Sequence, residues 1–271
     1  MNLRELNLPD DKDVKKLTVI FDSLMQLTNS LIEENSLSKE KLGEFKPLKM
    51  MIYLFLERIN YQNRSFFHLH GFSDSILVSR SMFEGALFLA YSAKNVDKEI
   101  AYRWKLSLYV DFIDDMSREN FPLELRKEID DVKSDVDKFF LNKDKKSYHN
   151  KWLDKNIFDV AKDLDDVCQT MYREYYQPMA KYHHWDFTQI ISMSHVNSMH
   201  EGSKLNVLLG QFHSYLIAIF SNLLIIKLFI EFFSKDIQGK SIVKSVNDLE
   251  EQLGSISFIK TKKVKLTTRD T

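Results

Sequence analysis

Turn-forming residues are scarce. Seven glycines and four prolines in 271 residues fall well below the usual shares of about 7% and about 5%. A β-sandwich or barrel with many tight turns is thereby excluded, and long helices joined by a few short loops are expected. Cysteine is scarcer still. Cys168 is the only one, so no internal disulfide can form, and a reducing, cytoplasmic setting is expected. It lies in a helical-looking run from Asp166 to Tyr172, where a small buried thiol fits better than a nucleophile. Charge of either sign is missing as an excess. Lys+Arg 38 against Asp+Glu 39 leaves a net charge of -1, without the basic surplus of a dedicated duplex-DNA binder. The first residues mix acids and bases and hold no apolar run, so no secretory signal is expected.

Several chemistries lack their motifs. There is no G-x-G-x-x-G, no G-x-x-x-x-G-K-[S/T] and no G-x-S-x-G elbow. The eight histidines are scattered, with no H-E-x-x-H, no paired cysteines and no Glu-x-x-His of the di-iron bundles. No metal and no cofactor is therefore expected.

What is present is core material: 44% apolar against 28% charged residues, a balance that excludes disorder. Val14, Leu17, Phe21, Leu24, Thr28 and Leu31 recur at three and four, with Asp10 or Asp11 as cap. Pro47 opens a second helix that runs to Gly71, and Ser73 or Asp74 opens a third that reaches Ala93. A fourth starts at Asp97 with Ile100, Trp104, Leu108 and Phe112 on one stripe. Pro122 opens a fifth, whose inward face is Leu125, Ile129, Val132, Val136 and Phe139. Residues 142–151 read as a loop, Trp152 to Leu164 as a short helix, and Asp165 to Tyr182 as a longer one. Residues 183–203 read as mixed helix and loop, and Leu205 to Phe233 as an apolar helix. The expectation is an all-α fold, a single bundle of about seven to nine helices over residues 1–239. Residues 240–271 follow as a peripheral short helix and a basic tail.

From Val207 to Ile226 no residue is charged, which meets the membrane-span requirement of about 20 residues. Gln211, His213, Ser214, Ser221 and Asn222 interrupt the run, however, and Lys227 and Glu231 continue its periodicity. A central helix of a soluble bundle explains that pattern, and no membrane partner is expected.

The third helix carries the chemistry that stands out. From Ile76 to Ala93 it is apolar nearly all round, with Arg80 and Glu84 its only charges. A helix apolar on every side is buried, and a buried ion is costly unless paired. Four residues apart, the two share a face, but an acid N-terminal to a base is the better order. Both are therefore expected to reach partners on neighbouring helices, either as a clamp that fixes helix register or as the walls of a pocket. The second cluster is Tyr172 to Asp186. Tyr172, Tyr175 or Tyr176, Met179 and Tyr182 or His183 recur at helical spacing, so most of it reads as a helix face. Adjacent His183 and His184 point about 100° apart.

These residues resemble a family. The run from Ser75 to Glu84 is similar to the R-x-x-x-E helix of an uncharacterised, mainly bacterial all-α domain family of unknown function. Tyr102-Arg-Trp104, Trp152-Leu-Asp and Tyr172 to Tyr176 match its later aromatic, tryptophan and tyrosine-rich segments. Its closing S-x-x-x-H motif resembles Ala180-Lys-Tyr182-His183-His184, and Ser194-His195 is a competing match. The resemblance implies a helical fold in which Arg80, Glu84 and His184 meet in one polar site. Arg64 and His70 also fit the loose R-x(4-6)-H pattern of the HEPN ribonucleases. That likeness implies metal-independent RNA cleavage at a dimer interface, in toxins or antiviral effectors. Histidine exchanges a proton near neutral pH and arginine stabilises charge on phosphate.

Three readings follow. In the first, Arg80, Glu84 and a histidine (His184, alternatively His195) handle a small ligand or a nucleotide. In the second, Arg64 and His70 cleave RNA, helped by Lys143, Lys145, Lys146 and Lys151 or by Lys260, Lys262, Lys263 and Lys265. In the third, Arg80 and Glu84 only lock helices of a scaffold. The partners these readings bring are a second copy in a homodimer, RNA, or a small molecule.

Overall fold

Helix starts are written into the chain at several points, and the first is the fullest. In α1 (Asp11–Glu34), the Asp10 carboxylate accepts from the N–H groups of Lys12 (2.9 Å) and Asp13 (3.1 Å). The Asp13 carboxylate accepts in return from the N–H of Asp10 (3.1 Å), closing a capping box. The stripe Leu17, Phe21, Leu24, Thr28 and Leu31 is buried as its spacing predicts, while Val14 is only half-buried. A computed structural model describes residues 8–37, 39–70, 74–114, 120–144, 147–180, 201–233 and 240–256. Among them lie nine further α-helices: α2 (Lys39–Gly43), α3 (Pro47–Leu69), α4 (Ser75–Lys94), α5 (Ile100–Asp114), α6 (Leu123–Phe140), α7 (Ile157–Leu164), α8 (Asp166–Met171), α9 (Glu201–Phe233) and α10 (Lys240–Gly254). The described residues hold no strand, only one isolated antiparallel bridge between Leu141 and Tyr148. The fold is all-α.

The core is organised around α9, which packs on α4, α1 and α3. Its apolar stretch is long enough to cross a membrane, yet 67% of its most apolar window is buried inside the bundle. Neighbouring helices already cover what lipid would otherwise cover. Its buried polar residues bond inside the protein, Ser214 to the Gly210 carbonyl and Ser221 to the Ile217 carbonyl (2.7 Å each). Asn222 and Asn63 exchange two amide hydrogen bonds (2.8 and 2.9 Å), and Asn222 also donates to the Ala218 carbonyl (2.9 Å). Thr28 donates to the Leu24 carbonyl (2.7 Å), with a longer contact to Asn222. This fully buried network ties α1, α3 and α9 in one register. α10 lays Val246, Leu249 and Leu253 against the same core, beside α1 and α9.

A second, smaller core lies between α5 and α6, built from Leu106, Tyr109, Val110, Ile129, Val136 and Phe140. Two sequence expectations change here. The α5 stripe of Ile100, Trp104, Leu108 and Phe112 does not hold, since Leu108 is exposed and Leu106, Tyr109 and Val110 face inward. The cause is that α5 packs against α6 as well as α3, and Tyr102 near its start already meets Asp135 and Phe139 of α6. In α6 the buried aromatic is Phe140, with Phe139 half-buried beside Tyr102. The start expected at Asp97 is instead a 3₁₀ turn, Val96–Lys98, followed by Glu99 at φ 53°, and α5 begins at Ile100.

The segment leading to the site is also more broken than its periodicity suggests. α7 starts at Ile157 rather than Trp152, because the Asn156 side chain caps it through the N–H of Asp159 (2.9 Å). Its last carbonyls, those of Asp163 and Leu164, accept from the Lys94 ammonium (2.7 and 2.6 Å). Asp165 then starts α8 by accepting from the N–H of Cys168 (2.7 Å). The single helix expected from Asp165 to Tyr182 gives way to α8, a π-helical turn over Tyr172–Tyr176 and a 3₁₀ turn over Gln177–Met179. Pro178 lacks an N–H and crowds the preceding turn, so a regular helix cannot pass through it.

Candidate functional site

Arg80 and Glu84 lie one turn apart on α4, on the side that faces the π-helical turn. Tyr176 comes across from that turn and lies between them. Arg80 Nη2 donates to the Tyr176 hydroxyl (3.0 Å), and that hydroxyl donates to Glu84 Oε1. The guanidinium also rests over the Tyr176 ring, 4.4 Å from its centroid. Arg80 Nη2 and Glu84 Oε1 are 4.0 Å apart, too far for a direct hydrogen bond. With the base N-terminal to the acid, the geometry along the helix is the poorer one, and the phenol makes the bridge instead.

The two ions are not equally accessible. The Arg80 side chain is 14% exposed and that of Glu84 is 40% exposed. Arg80 Nη1 is fully buried and has no hydrogen-bond partner. The bottom of the site is therefore a covered guanidinium with one unsatisfied donor, and its open edge is a carboxylate. Burial, chiefly, pushes the Tyr176 hydroxyl above the ordinary tyrosine range; its hydrogen bond to Glu84 and that carboxylate's charge add to the effect, and Arg80 opposes it. Tyr176 thus stays a neutral donor, and Glu84 is the acceptor.

Aromatic packing fixes the phenol. Its ring lies 5.1 Å from Phe83 and stacks on Tyr172 at 5.2 Å, and Tyr172 in turn meets Phe158 at 5.4 Å. The π-helical turn buries two successive tyrosines. Tyr176 meets α4, while the ring of Tyr175 meets His213 on α9 (5.5 Å). The Tyr175 hydroxyl, buried and without a hydrogen-bond partner, is pushed up to about 12 by burial and by Glu174. Sequence spacing leaves Tyr175 and Tyr176 interchangeable, so the bridging role of Tyr176 is not readable from it. The available signal was the pairing of adjacent tyrosines just ahead of Pro178, where a regular helix must break.

The other candidate residues are placed as follows. Arg64 donates from Nη2 to Asn29 Oδ1 (2.9 Å) on α1. His70, at the end of α3, bonds through Nδ1 to the Phe67 carbonyl and lies 6.3 Å from the Tyr215 ring. Its charge acts on Asp22 of α1, whose carboxyl is pushed up by burial and drawn back down by His70. Arg64 and His70 therefore lean on α1 at positions about two turns apart. His184 and His195 lie outside the described residues, as do Lys145, Lys146 and the basic tail. Cys168 is buried, and its thiol is pushed far up, mainly by burial and further by Asp165. Among the described residues no cluster of His, Cys, Asp or Glu could hold a metal ion.

Residues 50–203 match a family described as one of unknown function. No curated protein and no solved structure matches the chain. The matched segment contains most of α3, all of α4 to α8 and the π-helical turn, hence Arg80, Glu84 and Tyr176 together. α1 and α10 lie outside it, and so does nearly all of α9.

Proposed function

This chain belongs to DUF5677, a family of unknown function, and we propose that it is a small-molecule-handling helical domain centred on Glu84. Arg80 and Tyr176 hold the carboxylate, and the family resemblance supplies an imidazole from His184, with His195 as the alternative. One observation carries the reading: the Arg80–Tyr176–Glu84 bridge is incompletely satisfied and open on its acidic side. A pure helix clamp favours full burial and full pairing, because an orphaned buried donor destabilises the fold. Unsatisfied groups and π-helical turns both concentrate where a protein works. A carboxylate fixed in this way accepts a ligand's hydrogen bond or takes its proton. The lone buried thiol of Cys168 supports a cytoplasmic setting.

A thermal-shift screen of a small-molecule library against the wild type, Glu84→Gln and Arg80→Met tests the proposal. Compounds that stabilise the wild type are expected to lose their effect in both variants. Equal stabilisation of all three proteins would overturn it. The competing ribonuclease reading is supported by the exposure of Arg64 and His70 at the C-terminal end of α3. It requires that expression degrade cellular RNA and that His70→Ala abolish the degradation.

A further inference from the structure

We infer that a cavity of about 700 Å³ at the far end of α4 binds an uncharged, largely apolar small molecule. The inference does not depend on the Glu84 reading. Ser92, in the cavity wall, lies eight residues along α4 from Glu84, about 12 Å away. Four elements meet around the space: the start of α3, the end of α4, the start of α5 and the last turn of α9. Its size falls in the range of about 300–1,000 Å³ typical of small-molecule sites. The lining is mainly apolar, with Phe45, Tyr102 and Phe232 beside Leu48, Ile100 and Ala101.

Polar side chains of the wall already have partners in the protein. Ser92 donates to the Phe88 carbonyl (2.8 Å), and the Tyr102 hydroxyl donates to Asp135 Oδ2 on α6 (2.5 Å). The Lys49 ammonium lies over the rings of Phe45 (4.8 Å) and Phe233 (4.4 Å). The Glu99 carboxylate is 3.9 Å from the Lys138 ammonium. What the wall presents is therefore contact surface, which suits a ligand with few hydrogen bonds of its own to lose. Charges around the cavity balance, with Glu44 and Glu99 against Lys46 and Lys49. A net charge on the ligand would gain no preference there and would lose hydration on entering. Two further features of the wall point to an occupant. Val96 is 60% exposed, an apolar side chain that a ligand takes out of water. Glu99 has a left-handed backbone (φ 53°), and among the described residues no other residue with a side chain has a positive φ. Backbone strain of this kind concentrates at ligand sites.

The test titrates the full chain with N-phenylnaphthylamine, a neutral apolar dye whose emission rises when it leaves water. The emission is expected to increase in a saturable manner. Val96→Glu, at an exposed position that tolerates the change, and Phe232→Ser, which removes part of the wall, should each weaken binding about tenfold or more. Circular dichroism should show both variants folded. Leu123→Glu, a like change at an exposed residue of α6 outside the cavity, should leave binding as it is. In competition, naphthol should displace the dye about tenfold better than naphthoate, which carries a charge on the same rings. No saturable binding, or binding that neither cavity variant weakens more than Leu123→Glu does, would overturn the site. Naphthoate competing as well as naphthol would overturn the ligand class.

Discussion

Replacing Tyr176 with phenylalanine isolates the bridge from everything around it. The ring and its packing against Phe83 and Tyr172 remain, as does its face beneath the guanidinium. What disappears is one hydroxyl that receives a hydrogen bond from Arg80 and gives one to Glu84. A hydrogen bond to a charged partner contributes roughly 1.5–3 kcal/mol net. Glu84 is 40% exposed, so water replaces much of its loss and its share falls to the low end of exposed pairs. Arg80 is largely covered, and with Nη1 already orphaned the variant leaves Nη2 unpaired too, at about 1–3 kcal/mol. The expected destabilisation is about 2 kcal/mol, read as a lower urea midpoint at unchanged slope. Arg80→Met alone should cost a similar amount, and the double variant clearly less than the sum of the two. A Tyr176→Phe effect below about 0.3 kcal/mol, or strict additivity in the double variant, would refute the bridge.

Asn222→Leu strands the fully buried Asn63 amide and should cost about 3 kcal/mol. Asn63→Leu combined with Asn222→Leu should recover most of that in the same urea assay, and a double variant no more stable than the single would contradict the network. Cys168 should react with a thiol reagent such as DTNB only as fast as the protein unfolds, given its burial. Prompt labelling under native conditions would contradict its placement. Asp165→Ala removes the cap on α8 and should lower stability by about 1 kcal/mol, with Asp165→Asn close to wild type by the same measurement.

Much of the architecture is legible in local patterns. The α1 stripe, its Asp10 cap and the Pro47 start are set by contacts within a few residues. The burial of α4 and α9 follows from apolarity on every side. The α5 face is not legible from a single stripe, because such a stripe assumes one partner, whereas α5 packs against both α3 and α6. The break between α8 and the π-helical turn is hidden because Tyr172, Tyr175 or Tyr176 and Met179 keep helical spacing across it, while Pro178, which forces it, lies beyond its end. The junction between α7 and α8, by contrast, is legible at Asp165, which caps α8. At the site, Arg80 and Glu84 are conspicuous as ions in an apolar helix. Their shared partner is not, because Tyr176 belongs to a run of tyrosines that also fits a plain helix face. The difference in exposure between the two ions arises only from tertiary packing.

The hydroxyl of Tyr176 itself gives the most direct test of the account. Its ζ-carbon resonance, followed with pH, reports its ionisation alone. The account predicts a midpoint well above the ordinary value of 10.0, raised by burial first and by Glu84 second. The neutral phenol then contributes stability that is fully present below pH 10.0 and is lost as pH rises through the raised midpoint. Glu84→Gln should bring the midpoint down, and Arg80→Met should push it further up, since Arg80 opposes the rise. A Tyr176 that ionises at its ordinary value, indifferent to either substitution, would contradict the account.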